Sequence, residues 1–403
     1  MRWIIPILFL LFIEFYAYQA FRTLFKLKWL PFIYVGFSIA LFAFIIYSFN
    51  QPSPNGTFTG VRSYAMGLML SVFVLKMGLI TFMFGEDIFR LVQATYLKFF
   101  QQEDFVLPSR RKFVSQLALG VASIPFLSLL YGMYKGKYNY KVLTYELRFK
   151  DLPKEFDGYQ ITQISDIHSG SFDDAKKVAY GVELINEQES DAICFTGDLV
   201  NNIAAEMEDW KPLFSQLKAK DGIFSVLGNH DYGDYYRWNS ASEKTENLLR
   251  LKQIQKEMGW NLLLDESFSI QRNSSKLNFV GVENWGKGGF KQKGDVDKAS
   301  TDLTTNDFKI LLSHDPSHWD ELVKNHPKNF QLTLSGHTHG MQFGIEIPGW
   351  FKWSPVQFRY PQWAGIYKEN DRYINVNRGF GFLAYPGRVG MWPEISVIKL
   401  RRA

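Results

Sequence analysis

Apolar positions follow two regimes along this chain. Up to about residue 134 they run together; from about residue 141 they alternate with polar positions in short bursts. Four long runs approach the ~20 residues that a helix needs to cross a bilayer. They are about Trp3–Ala20, Leu30–Phe49, Tyr64–Phe84 and Phe113–Met133. The later bursts have the length and spacing of strands separated by helices. Strands are expected over Val142–Phe149, Tyr159–Ser165, Asp191–Phe195, Gly222–Leu227, Leu277–Val282, Lys309–Leu312 and Phe330–Leu334. Helices are expected from Asp174 to about Glu189, where Val178, Val182 and Ile185 keep helical spacing, over Val200–Leu217, and over part of Tyr232–Glu257. The glycine-rich Gly286–Gly294 stretch reads as a loop. These elements predict an α/β domain over 135–403 behind an all-α transmembrane region of about four helices over 1–134.

Charge adds an orientation. Arg22, Lys26 and Lys28 follow the first run, and Arg90, Lys98, Arg110, Arg111 and Lys112 separate the third from the fourth. Arg62 is the only charge from Asn50 to Ser63. By the positive-inside rule the first and third loops are cytoplasmic and the C-terminal domain is outside. Lys135, Lys137 and Lys141 pull the other way. Ser109-Arg110-Arg111-Lys112-Phe113-Val114 resembles the twin-arginine export signal, in which paired arginines and a Phe precede a moderately apolar helix. Its plainer reading is a cytoplasmic positive anchor. The expected location is the cell (inner) membrane, multi-pass, with the C-terminal domain extracytoplasmic. A cleavable signal peptide competes for the first run, and three further runs weaken it.

Glu14 and Lys76 interrupt the first and third runs at matching depth, ~17 Å from one face at about 1.5 Å per residue. An intramembrane Glu14–Lys76 pair is expected. The net charge of +5 is modest and sits largely beside the apolar runs, so no nucleic-acid partner is expected. Cys194 is the only cysteine, which excludes an intrachain disulfide; its apolar neighbours make it a small buried hydrophobe.

Polar residues gather where the strands end. In order, the ends read Asp166-Ile167-His168, Thr196-Gly197-Asp198, Gly228-Asn229-His230-Asp231, Ser313-His314-Asp315-Pro316 and Gly336-His337-Thr338-His339-Gly340. Five of the seven histidines stand there; only His318 and His326 do not. On extended backbone, positions i and i+2 face the same way, so Asp166 and His168 can converge on one ion. Any single fragment is more simply a turn with incidental polar residues. A succession of them after strands is how α/β architectures build sites. Asp166, His168, Asp198, Asn229, His314, His337 and His339 supply donors for two divalent metals, ~3.5–4 Å apart if a carboxylate is shared. Mixed nitrogen and oxygen donors without a thiolate suit Mn, Fe, Zn or Co. His230 is left to donate a proton, and Asp231 to orient its imidazole.

The order of these fragments resembles the calcineurin-like metallophosphoesterase signature, from about Val142 to the C-terminus. Asn377-Arg378-Gly379-Phe380-Gly381 and Pro393-Glu394-Ile395 resemble the closing motifs of a membrane-anchored or twin-arginine-exported branch. Met341 departs from that branch, which usually has a second glycine there. The resemblance implies a four-layer αββα sandwich. It places Asp166, His168, Asp198 and His339 on one ion and Asp198, Asn229, His314 and His337 on the other, with Asp198 bridging. It implies hydrolysis of a phosphoester or pyrophosphate bond: a hydroxide between the metals attacks phosphorus, and His230 protonates the leaving group or stabilises the phosphoryl oxygens.

The run Trp350-Phe351-Lys352-Trp353, continued by Phe358, Arg359, Tyr360 and Trp363, suits packing of a long loop beside the site, or a membrane interface. The interface reading would make a lipid-linked phosphate or pyrophosphate the substrate. Arg378 and Arg388 are candidate phosphate contacts. Two other classes compete. A non-catalytic metal-binding interaction module on a membrane scaffold is disfavoured by retention of every ligand. A nuclease shares the chemistry but not the expected basic patterning. The residues carry no signal for oligomeric state.

Overall fold

The computed structural model describes residues 4–24, 29–51, 60–101, 111–347 and 349–403. They form two compact units, one ending at Met133 and one running from Tyr134 to Ala403. Lys26, Lys28, Ser109 and Arg110, which carried much of the orientation and export reading, lie outside the described residues.

The first unit contains helices α1 (Ile4–Leu24), α2 (Leu30–Asn50), α3 (Val61–Tyr96) and α4 (Arg111–Tyr134). Among the described residues, α2, α3 with its continuation, and α4 are long and apolar enough to cross a membrane. α3 does not stop near Phe84 as its apolar run suggested. It continues past Glu86, Asp87 and Arg90 and ends in a π-helical turn, Leu97–Gln101. Arg90 lies 3.6 Å from both carboxylates, one turn away, which supports a helix where apolar packing gives out. Small residues let α3 and α4 approach: a methyl on Gly78 would stand 2.6 Å from the Ala122 Cβ. The expected Glu14–Lys76 pair is present. Its network is wider than two helices, because α2 adds two hydroxyls. Tyr34 donates to Glu14 at 2.6 Å, and Lys76 donates to Ser38 at 3.3 Å. Few donors or acceptors of the cluster are left to face hydrocarbon, where an unpaired polar group is costly.

The second unit is built on β1 (Lys141–Phe149), β2 (Gln160–Ile164), β3 (Ala192–Phe195), β4 (Ile223–Ser225), β5 (Asn261–Leu262), β6 (Glu266–Arg272), β7 (Ser275–Gly281), β8 (Phe308–Leu312), β9 (Leu332–Ser335), β10 (Ile345–Ile347), β11 (Phe351–Trp353), β12 (Gly365–Glu369), β13 (Arg372–Val376) and β14 (Glu394–Arg402). One sheet has the order β1-β14-β2-β3-β4-β5 and the other β12-β13-β9-β8-β7-β6; β10 and β11 form a separate hairpin. Strands β2, β3 and β4 are mutually parallel, as are β7, β8, β9 and β13.

Alternation along the strands explains the layering. Ala192 and Cys194 enter the core between the sheets, whereas Ile193 and Phe195 face the other way. In β8, Ile310 and Leu312 face the inter-sheet core and Leu311 the outer layer. Helices α5 (Ala175–Asn186), α6 (Lys211–Phe214) and α7 (Ala241–Glu257) cover the first sheet through Val178, Val182, Ile185, Phe214, Leu251 and Ile254. The short helices Val296–Ala299 and Ser317–Glu321 cover the second. The four layers are those of an αββα sandwich.

Two local expectations fail for local reasons. Val200–Leu217 is not one helix; it holds a 3-10 turn at Ala204–Met207 and the single turn of α6. Pro212 lacks the backbone donor a continuous helix needs there. The aromatic run after Trp350 splits: Tyr360 and Trp363 are buried, while Trp350 is 81% and Phe358 84% exposed.

Candidate active site

The donor residues stand at the carboxyl ends of parallel strands from both sheets. Asp166 and His168 follow β2, Asp198 follows β3, Asn229 follows β4, His314 follows β8, and His337 and His339 follow β9. Five of these residues hold left-handed backbone: Asp166, His168, Asp198, His337 and His339 have φ of 51°, 47°, 60°, 70° and 52°. Such backbone costs a non-glycine residue on the order of 1 kcal/mol and persists only where its surroundings enforce it. Two glycines clear the space. A methyl on Gly336 would stand 1.9 Å from the Ser165 Oγ and 2.3 Å from an Asp166 carboxylate oxygen. One on Gly228 would stand 2.2 Å from an Asp198 carboxylate oxygen.

The side chains meet in two groups, Asp166–His168–His339 and Asp198–His314–His337. In the first, the Nε2 atoms of His168 and His339 are 3.0 Å apart, and His339 Nε2 is 3.2 Å from Asp166 Oδ1. In the second, His314 Nε2 lies 3.1 Å from Asp198 Oδ2 and 3.2 Å from Asn229 Oδ1; His337 Nδ1 lies 2.9 Å from the same Asn229 oxygen. Asp198 Oδ2 also lies 3.6 Å from His168 Nε2, so it faces both groups. Asn229 is turned by Tyr235, whose hydroxyl accepts its amide at 3.0 Å. His314 Nδ1 lies 2.7 Å from the Thr196 carbonyl, which can only accept. In the neutral ring its proton is therefore at Nδ1 and its Nε2 lone pair faces the group.

This donor set fits divalent cations. Imidazole nitrogens packed 3.0 and 3.3 Å apart beside carboxylates are ligands aimed at a shared positive charge. The electrostatics of two of the donors point the same way. Burial disfavours a charged His314, yet the Asp198 carboxylate outweighs it and holds the imidazole up to about 10. Burial likewise opposes ionisation of Asp166, and the neighbouring His339 reverses that, holding the carboxyl below its usual range.

His230 sits beside these groups without entering them. Its ring packs edge-on to His168 at 4.9 Å, and its backbone N–H donates to Asp198 at 2.8 Å. Asp231 does not orient that imidazole, contrary to expectation. Its carboxylate accepts backbone N–H groups of Asp198, Leu199 and Gly228 at 2.9, 2.8 and 2.9 Å, so it ties the loops after β3 and β4 together. Burial, then the Asp198 charge, pushes its carboxyl up to about 7. The partner of His230 Nδ1 is instead the Asn201 carbonyl at 2.7 Å. The arginines are corrected too. Arg378 is paired with Glu394 and, at 2.7 Å, with Glu346. Arg388 is fully buried, donates to the Gly381 carbonyl at 2.8 Å, and lies 3.2 Å from His339 Nδ1. Both brace the loops rather than offer a free guanidinium to substrate. Three neighbours escaped the sequence reading: Tyr360, 2.8 Å from His337 Nε2; Asp315, 3.4 Å from the same atom; and Phe290, whose ring is 4.8 Å from the His337 ring. The adjacency of Asp315 to His314 and the reading of the Tyr360 run as a loop packed beside the site hinted at two of them, and neither gave the contact with His337.

Facing donor groups at the strand ends of an αββα sandwich are those of a metal-binding protein. Comparison with known proteins names the family. Residues 159–341 match the model of the calcineurin-like phosphoesterases, and residues 1–137 match that of a probable calcineurin-like phosphoesterase transmembrane domain. The chain is 28% identical over 282 residues to the uncharacterized metallophosphoesterase YkuE of Bacillus subtilis, covering 67% of this chain and 89% of that one. It is 27% identical over 417 residues to an uncharacterized metallophosphoesterase of Helicobacter pylori (strain J99), covering 98% of each. It is 30% identical over 279 residues to the UDP-2,3-diacylglucosamine pyrophosphatase LpxG of Chlamydia trachomatis, covering 57% of this chain and 81% of that one. The chain belongs to the calcineurin-like metallophosphoesterases, with a transmembrane domain, and is a phosphoester hydrolase.

Proposed function

We propose that the chain is a dinuclear metal-dependent hydrolase of phosphoester or pyrophosphate bonds, held in the cell membrane with its catalytic domain outside the cytoplasm. The observation that carries the dinuclear reading is Asp198, whose carboxylate faces both donor groups. Asp166, His168 and His339 would hold one ion with Asp198; Asn229, His314 and His337 would hold the other with it. When bound, two divalent cations such as Mn, Zn, Fe or Co neutralise phosphoryl charge and lower the pKa of a water. The chain's own residues do the rest. The Asn201 carbonyl fixes the His230 proton on Nδ1 in the neutral ring, and on protonation Nε2 gains the proton it can pass to the leaving oxygen. Asp231 holds the loops that carry Asp198 and His230 in register. The lysine and arginine distribution supports the orientation, and the membrane helices and the LpxG likeness support including lipid-linked phosphates among the substrates.

The test is metal-reconstituted activity of the full chain over phospholipids, nucleotide-sugar lipids and simple phosphoesters, with each of the four metals. Hydrolysis that a chelator abolishes and metal restores is expected. A fully metallated protein that hydrolyses none of them would make it a non-catalytic metal-binding module. Protease treatment of intact cells checks the orientation: degradation of the catalytic domain only after lysis would reverse it.

A further inference from the structure

The β10–β11 hairpin inverts the pattern of a soluble surface. Its register pairs Ile345 with Trp353, Glu346 with Lys352 and Ile347 with Phe351. Antiparallel partners share a face, so the four apolar residues lie on one side and the charged pair on the other. The charged side is the one turned inward. Glu346 binds the buried Arg378 at 2.7 Å, and Lys352 donates to the Ala364 carbonyl and, at 3.3 Å, to the Tyr367 hydroxyl. The apolar side is left to the outside: Ile345 is 55%, Ile347 44% and Phe351 46% exposed. Among the described residues Trp350 at the turn and Phe358 just beyond β11 are the most exposed large apolar side chains, and Met341, two residues after His339, is exposed with them. The hairpin is also fastened to the metal centre. The buried Ser354 hydroxyl, directly after β11, donates to the Gly340 carbonyl at 2.8 Å, next to His339.

We propose that this hairpin face is a bilayer-docking surface that beds Trp350, Phe351 and Phe358 among lipid headgroups. An aromatic tip over an aliphatic face, with the exposed Arg359 alongside, is suited to that interface. A bilayer is the apolar phase that the chain itself supplies. The chain carries its own membrane helices, and only residues 135–140 join α4 to β1. That link is itself pinned: Lys137 and Tyr138 are buried, and Tyr138 donates to Asp173 at 2.8 Å. Because the hairpin is bonded to the His337–His339 loop, docking presents the metal centre at headgroup level. On the hydrolytic reading above, on which this step rests, the substrate class becomes phosphoesters carried by membrane lipids.

The test is site-directed spin labelling of the full chain in lipid nanodiscs of phosphatidylcholine and phosphatidylglycerol. Cys194, the only native cysteine, is fully buried, so an introduced cysteine takes the label. Labels at Ile345→Cys and, as a control on the exposed β6–β7 turn, Ser274→Cys are compared by collision with oxygen and with a water-soluble nickel chelate. The oxygen-to-nickel ratio at 345 is expected to exceed that at 274 by more than about threefold, since oxygen concentrates in the bilayer. In a Trp350→Ser/Phe358→Ser background it should fall to the control value. Equal ratios at the two positions would overturn the proposal. Low collision with both reagents at 345 would overturn it in favour of a protein partner or a second copy. A high ratio that survives the double substitution would refute the aromatic anchors. The readout needs no turnover, so it fails separately from the hydrolytic reading.

Discussion

Gly336→Ala tests whether the site depends on backbone clearance as much as on its donors. The added methyl would stand 2.3 Å from an Asp166 carboxylate oxygen and 1.9 Å from the Ser165 Oγ, where ordinary contact begins at 3.4 Å. The carboxylate must therefore retreat by about 1 Å. It cannot do so freely, because both its oxygens accept the His337 N–H, at 3.0 and 3.1 Å. Overpacking of this kind costs ~1–3 kcal/mol of stability. A misplacement of about 1 Å at a reacting centre costs ~100-fold in rate, or ~2.7 kcal/mol of transition-state stabilisation. The assay is metal content per chain by elemental analysis, together with kcat on an aryl phosphodiester. Gly259→Ala is the control: its φ is 77° and nothing lies within 4 Å, so only the left-handed backbone is penalised, by ~1 kcal/mol. Metal loss and a ~100-fold fall in kcat are expected for Gly336→Ala alone. Full metal content with turnover within about twofold of the parent would refute the reasoning.

Other substitutions separate the remaining roles. His230→Ala should keep its metals and lose ~10²–10⁴-fold in turnover, most with poor leaving groups; near-normal turnover would remove it from the mechanism. Asp231→Ala leaves four buried N–H groups, those of Asp198, Leu199, Val200 and Gly228, without their acceptor and should cost ~3 kcal/mol or more and reduce metal retention, whereas a variant as stable as the parent would restore the idea that Asp231 serves only His230. Burial pushes the Glu206 carboxyl up to about 7 from 4.5, although the Asn201 and Asn202 amides favour its charged form. A raised carboxyl stabilises the fold fully below its unfolded value and loses that as pH rises through about 7, a change of ~3 kcal/mol. Thermal unfolding from pH 5 to 8 should therefore show a loss of stability that Glu206→Gln lacks. Lys76→Ala should destabilise the membrane unit far less in a Glu14→Gln background than alone, and equal effects in both would mean the pair carries no coupling.

The donor set was legible because its signals are local. A metal ligand needs a polar side chain near a strand end, which the chain order shows. The i, i+2 spacing picked the right pair for the wrong reason, because Asp166 and His168 lie past the end of β2 in left-handed rather than extended backbone. The Glu14–Lys76 pair was legible for a similar reason: helical rise alone sets depth in a membrane. What failed were inferences from adjacency. Asp231 follows His230 in the chain, yet its carboxylate is used by amides from two loops, and the imidazole is held by Asn201, 29 residues earlier. Arg378 and Arg388 have the chemistry of phosphate contacts, but only the fold says that Glu394, Glu346 and the Gly381 carbonyl use them first. Tyr360, Asp315 and Phe290 reach His337 from distant or neighbouring loops that no spacing rule connects. By itself, then, the order of apolar and polar positions gave the membrane and α/β halves, most of the strands and the candidate donors just after them, since each is a local signal along the chain. The tertiary structure alone decided which donors lie around Asp198, what steadies His230, and that the β10–β11 hairpin turns its apolar face outward. Those depend on which loops pack together, and packing between segments far apart in the chain leaves no period to read.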